Sequence, residues 1–472
     1  MVDLLHILNP KRRQAQSVTV IHSELDIMAV PTDLNLPERS PFFEKSAVNL
    51  RRIYVDGMHA PAPKSAKLNA SVAKLVAANK ADRAAMGIGL AILPNDGNPY
   101  FGGSNDDRLL SVASIAKLAL LYASIQLLAD VGVIGCSNGL ADEGDYPQKV
   151  QDFVKGVQLA FRKSKDPELG RIASEDAIFP RLARIFDLKQ FLQIKSKTRA
   201  PHMLAFNEFT GGGMVEPDDV GYKIRLISAV PSSDDLASAW CICDVGLPYI
   251  QALLARSGFG SLHGNKPGLW LSWFYASAQV VQKIRAGRKR RPPDKPLPDY
   301  LATLPEKYRD AITFDPNKLK MTDNTPELDK AHQSGFLSGH VATAVGLATF
   351  LTVLENRQLF RGDNYYTQEM LQYFSKGKWL ASGFRGLGNG TFSEKVGYIE
   401  DPGSYSDCAI VRSTAIEQAR SSPSAGSADA GVGGTTTWIP VALYATARTY
   451  NDGLAILTAL GKDLETAAAD NI

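Results

Sequence analysis

The stretch Leu109–Val131, LLSVASIAKLALLYASIQLLADV, decides how this chain is read. It is apolar at nearly every position, the pattern of a helix buried on all sides rather than of a surface helix with one wet face. Two polar side chains, Ser114 and Lys117, sit near its start, three residues apart. On a helix that spacing puts both on one face, so the amine comes within reach of the hydroxyl. A serine hydroxyl is a weak nucleophile until a base removes its proton, and a lysine can be that base when burial or a second cation depresses its pKa. The apolar setting of Lys117 supplies the first of those conditions.

The elements on either side have a definite order. Upstream, SAKLNASVAKLVAANKADRAAM (65–86) carries apolar residues at helical spacing and runs straight into the strand-like GIGLAIL (87–93). The Asp-Gly and Asn-Pro steps after it favour a tight reversal, so GIGLAIL and PYFGG read as a β-hairpin. Downstream, SGHVATAVGLATFLTVLENRQLF from Ser338 reads as a well-packed helix, and EKVGYIE (394–400) and SDCAIVRS (406–413) read as strands. A low-complexity run, SSPSAGSADAGVGG, separates these from a last strand, TWIPVALYATA (437–447), and a last helix, GLAILTALGKDLETAAAD (453–470).

The expected organisation is an N-terminal extension over 1–64, Pro-punctuated and without a sustained period, and a domain over 65–472. Two insertions are expected in that domain, at about 132–224 and 260–334. The second holds the basic, Pro-rich KIRAGRKRRPPDKPLP, which reads as a surface loop.

At 472 residues the chain is long enough for a large core, and its 44% hydrophobic content is ordinary for globular proteins. A net charge of +3 gives no global argument for a polyanionic partner. Basic residues cluster in GRKRR, but without interleaved aromatics or a nucleic-acid-binding fold, so no nucleic acid is expected. Four cysteines are too few for a disulfide scaffold, and Cys241 and Cys243 lack a second ligand pair at zinc spacing. His332 and His340 stand apart from carboxylate or cysteine partners and are expected to pack against helices, so neither metal nor cofactor is expected. The three glycines from Gly211 lack the pattern of a phosphate loop and read as a turn. MVDLLHILNPKRRQ has apolar residues before basic ones, the wrong order for a secretory signal, and no uninterrupted apolar run approaches a membrane span. A soluble, cytoplasmic protein is the expectation.

The order helix, hairpin, S-x-x-K helix, K-x-G strand, strand and terminal helix resembles the class A β-lactamases and penicillin-binding proteins. The first family motif is matched by Ser114-Ile115-Ala116-Lys117, the second, S-D-N, by Ser233-Asp234-Asp235, and the third, K-T-G, by Lys395-Val396-Gly397. SGHVATAVGLATFL looks like the helix that precedes the third motif. The resemblance implies an α/β (α+β) fold with a five-stranded antiparallel sheet flanked by helices and a helical subdomain, the active site lying between sheet and subdomain.

It also implies roles. Ser114 attacks an acyl carbonyl, Lys117 takes its proton, and Ser233 relays a proton to the leaving group. Lys395 adds a cation that lowers the pKa of Lys117 and attracts an anionic substrate, while the backbone N–H groups of Ser114 and Tyr398 form the oxyanion hole. Asp235, Val396, Gly397 and Tyr398 are thereby expected to bind substrate, a small-molecule or peptide-like acyl compound cleaved at an amide, ester or lactam.

The sequence departs from the family at two of these positions. Asp235 replaces an amide, losing a donor and adding a negative charge near the lysines, and Val396 replaces a hydroxyl. Ester or thioester cleavage asks less of that recognition than penicillin turnover does. TPELDKA, from Thr325, echoes the loop that carries the class A deacylation glutamate, but Thr325 stands at the glutamate position. Other readings stay open: a D-alanyl-D-alanine peptidase-like enzyme, against which the missing export signal argues, and an inactive scaffold that keeps the fold. Ser233 and its aspartates could equally be the N-cap of the helix that follows.

Overall fold

GIGLAIL is buried along its whole length because it is an inner strand with a helical layer on each face. A computed structural model of the chain describes residues 61–78, 86–94, 98–108, 110–136, 182–195, 198–208, 221–246, 249–250, 253–254, 257, 259, 268–271, 340–360, 363–375, 379–384, 391–399, 404–412, 436–445 and 450–471. All belong to one compact unit, Ser40–Ile472. The expected extension over 1–64, apart from its last four residues, lies outside the described residues, as does nearly all of the expected insertion at 260–334.

The main sheet contains β1 (Gly87–Leu93), β2 (Tyr100–Ser104), β6 (Thr391–Ile399), β7 (Ser404–Arg412) and β8 (Thr437–Ala445), all antiparallel, in the order β2-β1-β8-β7-β6. This is the five-stranded sheet expected from the sequence. A second sheet, which the sequence reading does not anticipate, joins three two-residue strands, β3 (Leu110–Ser111), β4 (Leu269–Trp270) and β5 (Val341–Ala342), in the order β3-β5-β4.

Alternation along the strands divides the core in two. Ile88, Leu90, Ile92, Val396, Tyr405, Ala409 and Ala442 pack with α1 (Ala66–Ala78), with the single turn α7 (Leu380–Gly383) and with α8 (Tyr450–Ala469). Ala91, Leu93, Cys408, Ile410, Ile439, Val441 and Leu443 face the other way, into the layer built around α2 (Lys117–Gly135) and α5 (Ala344–Glu355). That layer also takes in α3 (Tyr222–Ala229), α4 (Asp235–Val245) and α6 (Asn364–Leu371), together with Phe186, Phe191 and Leu204 from the first expected insertion. Each fully buried Leu, Ile or Phe contributes roughly 1.5–3 kcal/mol.

β8 carries a proline inside a central strand, a position where the missing N–H costs a ladder bond. Pro440 keeps its pairing with Leu90 of β1, and the β7–β8 register is interrupted opposite it, between Cys408↔Val441 and Val411↔Trp438.

The reading of Leu109–Val131 as one helix needs correction. Leu110 and Ser111 are strand, Ala113–Ala116 form a 3₁₀ turn, and α2 begins only at Lys117. A 3₁₀ turn has three residues per turn, so positions i and i+3 still share a side and Ser114 and Lys117 remain together. A second correction concerns apolar length: the helical window Ala113–Gly132 is long and apolar enough to cross a membrane. It is 94% buried inside the fold, where it serves as the core helix.

Candidate active site

The 3₁₀ turn that carries Ser114 meets the edge strand β6 at Gly397, and the entry to α4 meets Lys117 and Lys395. The turn is set by an unusual backbone, with Ala113 at φ 44°, in the left-handed region that a non-glycine residue adopts only when its surroundings impose it. Gly397 shows what imposes it. A Cβ on Gly397 would lie 2.5 Å from the Val112 carbonyl oxygen and 2.8 Å from the Ser114 nitrogen, so only glycine lets β6 come this close to the turn. Ser114 is left 8% exposed.

At the entry to α4 the structure separates the two readings of the SSDD run. Asp234 is the N-cap, its carboxylate accepting from the Ala237 N–H at 2.9 Å. Ser233 is therefore not needed as a cap, and it too has a left-handed backbone, φ 54°. It sits between two amines: Lys395 Nζ donates to Ser233 Oγ at 2.5 Å, and Lys117 Nζ donates to the Ser233 carbonyl at 2.9 Å.

Lys117 is fully buried and also donates to Asp235 Oδ1 at 2.6 Å. Burial pushes the Lys117 amine below its ordinary value, while the carboxylates of Asp235 and Asp234 and the hydrogen bond to Asp235 pull it back up. Burial outweighs them, in line with the apolar setting that the sequence gives Lys117. The contact itself is a short salt bridge. Asp235 thus keeps the acceptor that an amide would offer Lys117, and adds a charge, on a side chain 43% exposed.

Lys395 is fully buried as well, and its Nζ reaches back to the Val396 carbonyl at 2.8 Å. The main-chain pair between Ser375 and Glu394, N to O at 2.9 and 3.0 Å, turns the peptide groups of Glu394 away from β7. Peptide direction alternates along a strand, so the groups of Val396 and Tyr398 also face the outer edge of the sheet. The Tyr398 N–H is therefore directed toward the side where the Ser114 turn meets Gly397, the placement an oxyanion donor requires.

The Val396 side chain is directed elsewhere. Lys395 and Val396 are consecutive on a strand and must face opposite ways, and Val396 is buried in the layer of α7 and α8. The Tyr398 ring lies on that same side, 4.9 Å from Tyr450 and 6.3 Å from Trp379 between ring centroids. Only their main-chain groups belong to the site.

His340 does not sit in a helix. It directly precedes β5, accepts the Val112 N–H on its carbonyl at 3.1 Å, and is buried. Burial first, then the nearby Lys117 charge, push its imidazole down to about 3, so it is neutral at physiological pH. His332 and TPELDKA lie outside the described residues. Cys136, Cys241 and Cys408 form no disulfide.

Sequence reasoning also misses a carboxyl pair behind β6. Glu394 and Asp407 are both fully buried, Glu394 Oε1 accepting from the N–H groups of Trp379 and Ala381, Asp407 Oδ2 from that of Leu380. Burial, then the adjacent Glu394, push Asp407 far above the usual carboxylate range. Asp407 Oδ1 finds no hydrogen-bond donor among the described residues.

No protein-family model matches the chain, and no curated protein matches it. Among solved structures it is similar to a variant of the class A β-lactamase of the last common ancestor of Gram-negative bacteria, at 14% identity and TM-score 0.39 over 86% of this chain and 100% of that one. It is similar also to a β-lactamase from Sphaerobacter thermophilus, at 14% identity and TM-score 0.37 over 85% of this chain and 97% of that one. PBP-A is a third, at 12% identity and TM-score 0.35 over 87% and 100%. Likeness of that degree leaves the functional reading to the geometry of the site.

Proposed function

We propose that the protein is a serine hydrolase of β-lactamase-like type that cleaves an amide, ester or lactam through an acyl-enzyme on Ser114. The observation that carries this reading is Ser233, held in a left-handed backbone between the buried amines of Lys117 and Lys395 although Asp234 does the capping. A structural serine has no need of that arrangement; a proton relay does.

In this reading Lys117, once neutral, takes the proton from Ser114 Oγ as the oxygen bonds to the substrate carbonyl carbon. The carbonyl oxygen gathers charge against the N–H groups of Ser114 and Tyr398, a contribution of a few kcal/mol. Ser233 Oγ gives its proton to the leaving atom as the carbon–heteroatom bond breaks, and is resupplied with the proton that Lys117 took from Ser114. Water then releases the acyl group. The substrate is a small-molecule or peptide-like acyl compound, and the chemistry calls for no cofactor.

Asp235 in contact with Lys117 favours a second reading, a scaffold that keeps the fold while its base stays locked as an ammonium. Intact-protein mass after exposure to a fluorophosphonate and, separately, to a reactive penicillin decides between them. An adduct that disappears in Ser114→Ala is expected from the enzyme. Folded protein that takes neither reagent is the scaffold.

A further inference from the structure

The resting contact between Lys117 and Asp235 poses a question that the acyl-serine reading does not answer. Lys117 Nζ carries its proton against a carboxylate 2.6 Å away, and an ammonium cannot take another proton from Ser114. The site needs somewhere for that proton to go. Asp235 is in contact with it, is not occupied in capping α4, and is the partly exposed member of a pair whose other member is fully buried.

From this geometry we infer that Asp235 is the proton acceptor of the site, taking the Lys117 Nζ proton when a bound substrate covers its carboxylate from water. The inference rests on the acyl-serine reading of Ser114. In the empty site, water stabilises the Asp235 carboxylate and the ion pair persists. An uncharged acyl group lying over Asp235 removes that water, and in a drier setting a neutral amine beside a neutral carboxylic acid loses less than two separated charges do. The burial that already disfavours the charged form of Lys117 works in the same direction.

The proton count closes. Lys117–NH₃⁺ and Asp235–COO⁻ become Lys117–NH₂ and Asp235–COOH, and the amine then takes the Ser114 proton as Oγ attacks. When the leaving group has left with the Ser233 proton and Lys117 has resupplied Ser233, Asp235 returns its proton to Lys117 and the ion pair is restored. The nucleophile is therefore activated by occupancy. The substrate class that follows is one whose group above Asp235 is uncharged, because an anion there would oppose the carboxylate and a cation would hold it ionised.

Asp235→Asn tests this, since the amide keeps an acceptor for Lys117 and loses the proton site. The rate of fluorophosphonate adduct formation is measured against pH in the native protein and in the variant, with Ser114→Ala as the blank. If Asp235 accepts the proton, the acid limb of the variant moves to higher pH, the rate at neutral pH falls by about 100-fold or more, and it recovers at alkaline pH as Lys117 deprotonates by itself. If Asp235 merely clamps Lys117, removing the anion frees the amine, the rate at neutral pH rises and the limb moves down, which overturns the inference. A second measurement needs no turnover: infrared difference spectra of Ser114→Ala on binding an uncharged acyl analogue, a methyl ketone. A protonated-carboxyl band that is absent in the Ser114→Ala, Asp235→Asn double variant supports the inference, and bound analogue without that band overturns it. Absence of any Ser114-dependent adduct at every pH is the failure of the acyl-serine reading instead.

Discussion

Two ionisable pairs flank β6, and they are built on opposite plans. Lys117 and Asp235 are of opposite sign, with one member buried and the other in reach of water. Glu394 and Asp407 are of like sign, both sealed, with three backbone N–H groups of the α7 turn locked onto them. In the first pair we propose that a change in solvent access shifts the proton; in the second both carboxyl groups are closed off from water. Water access, more than the identity of the groups, separates a pair that can work from a pair that holds a turn of helix against a sheet.

The comparison breaks most readily at Lys117. Lys117→Met keeps the aliphatic stem in the core and removes the base, so fluorophosphonate acylation is expected to fall by about 10³-fold with secondary structure unchanged by circular dichroism. Gly397→Ala should follow, at about 100-fold, because its methyl group would displace the Ser114 turn, and a shift of the nucleophile by about 1 Å is worth that much. The melting temperature should also fall, which separates it from Lys117→Met.

Asp407→Asn probes the sealed pair. The folded protein holds Asp407 far above its unfolded value, so the stabilisation is present in full below about pH 3.9 and is lost as pH rises through the raised folded value. Asparagine copies the protonated form and cannot ionise. Its melting temperature should decline less steeply than that of the native protein between neutral and alkaline pH, with the acylation rate unchanged within about twofold. An unchanged slope would mean that Asp407 holds no proton in the folded state. The smallest effect is expected next door to the working carboxylate: Asp234→Ala removes a cap and costs about 1 kcal/mol in urea unfolding.

What the sequence makes legible is where chemistry and periodicity coincide. Ser114 with Lys117, and the fully buried GIGLAIL strand, stand out because a lysine in an apolar run and an apolar run of strand length each need a reason. The side to which Val396 points was legible as well, since strand alternation cannot send it and Lys395 the same way. The choice between Ser233 and Asp234 as cap was not: both are good caps, and only the φ of Ser233 and the Ala237 bond decide. β3, β4 and β5 are two residues each, too short for any period. The pairing of Glu394 with Asp407 depends on the β6–β7 register, in which Val396 lies opposite Asp407, and no local pattern reports it.

The sheet order has a consequence for the chain as it is made. β1 lies between β2 and β8, so the strand Gly87–Leu93 waits for Thr437–Ala445 before its second edge is covered. Ser114 is translated early and Lys395 late, and at roughly 5–20 residues per second the interval is on the order of tens of seconds. During that time the apolar strand has an unpaired edge, an invitation to aggregation that a holding chaperone would answer. On the acyl-serine reading, a nascent chain that has not yet reached Lys395 lacks part of its proton relay and is not acylated.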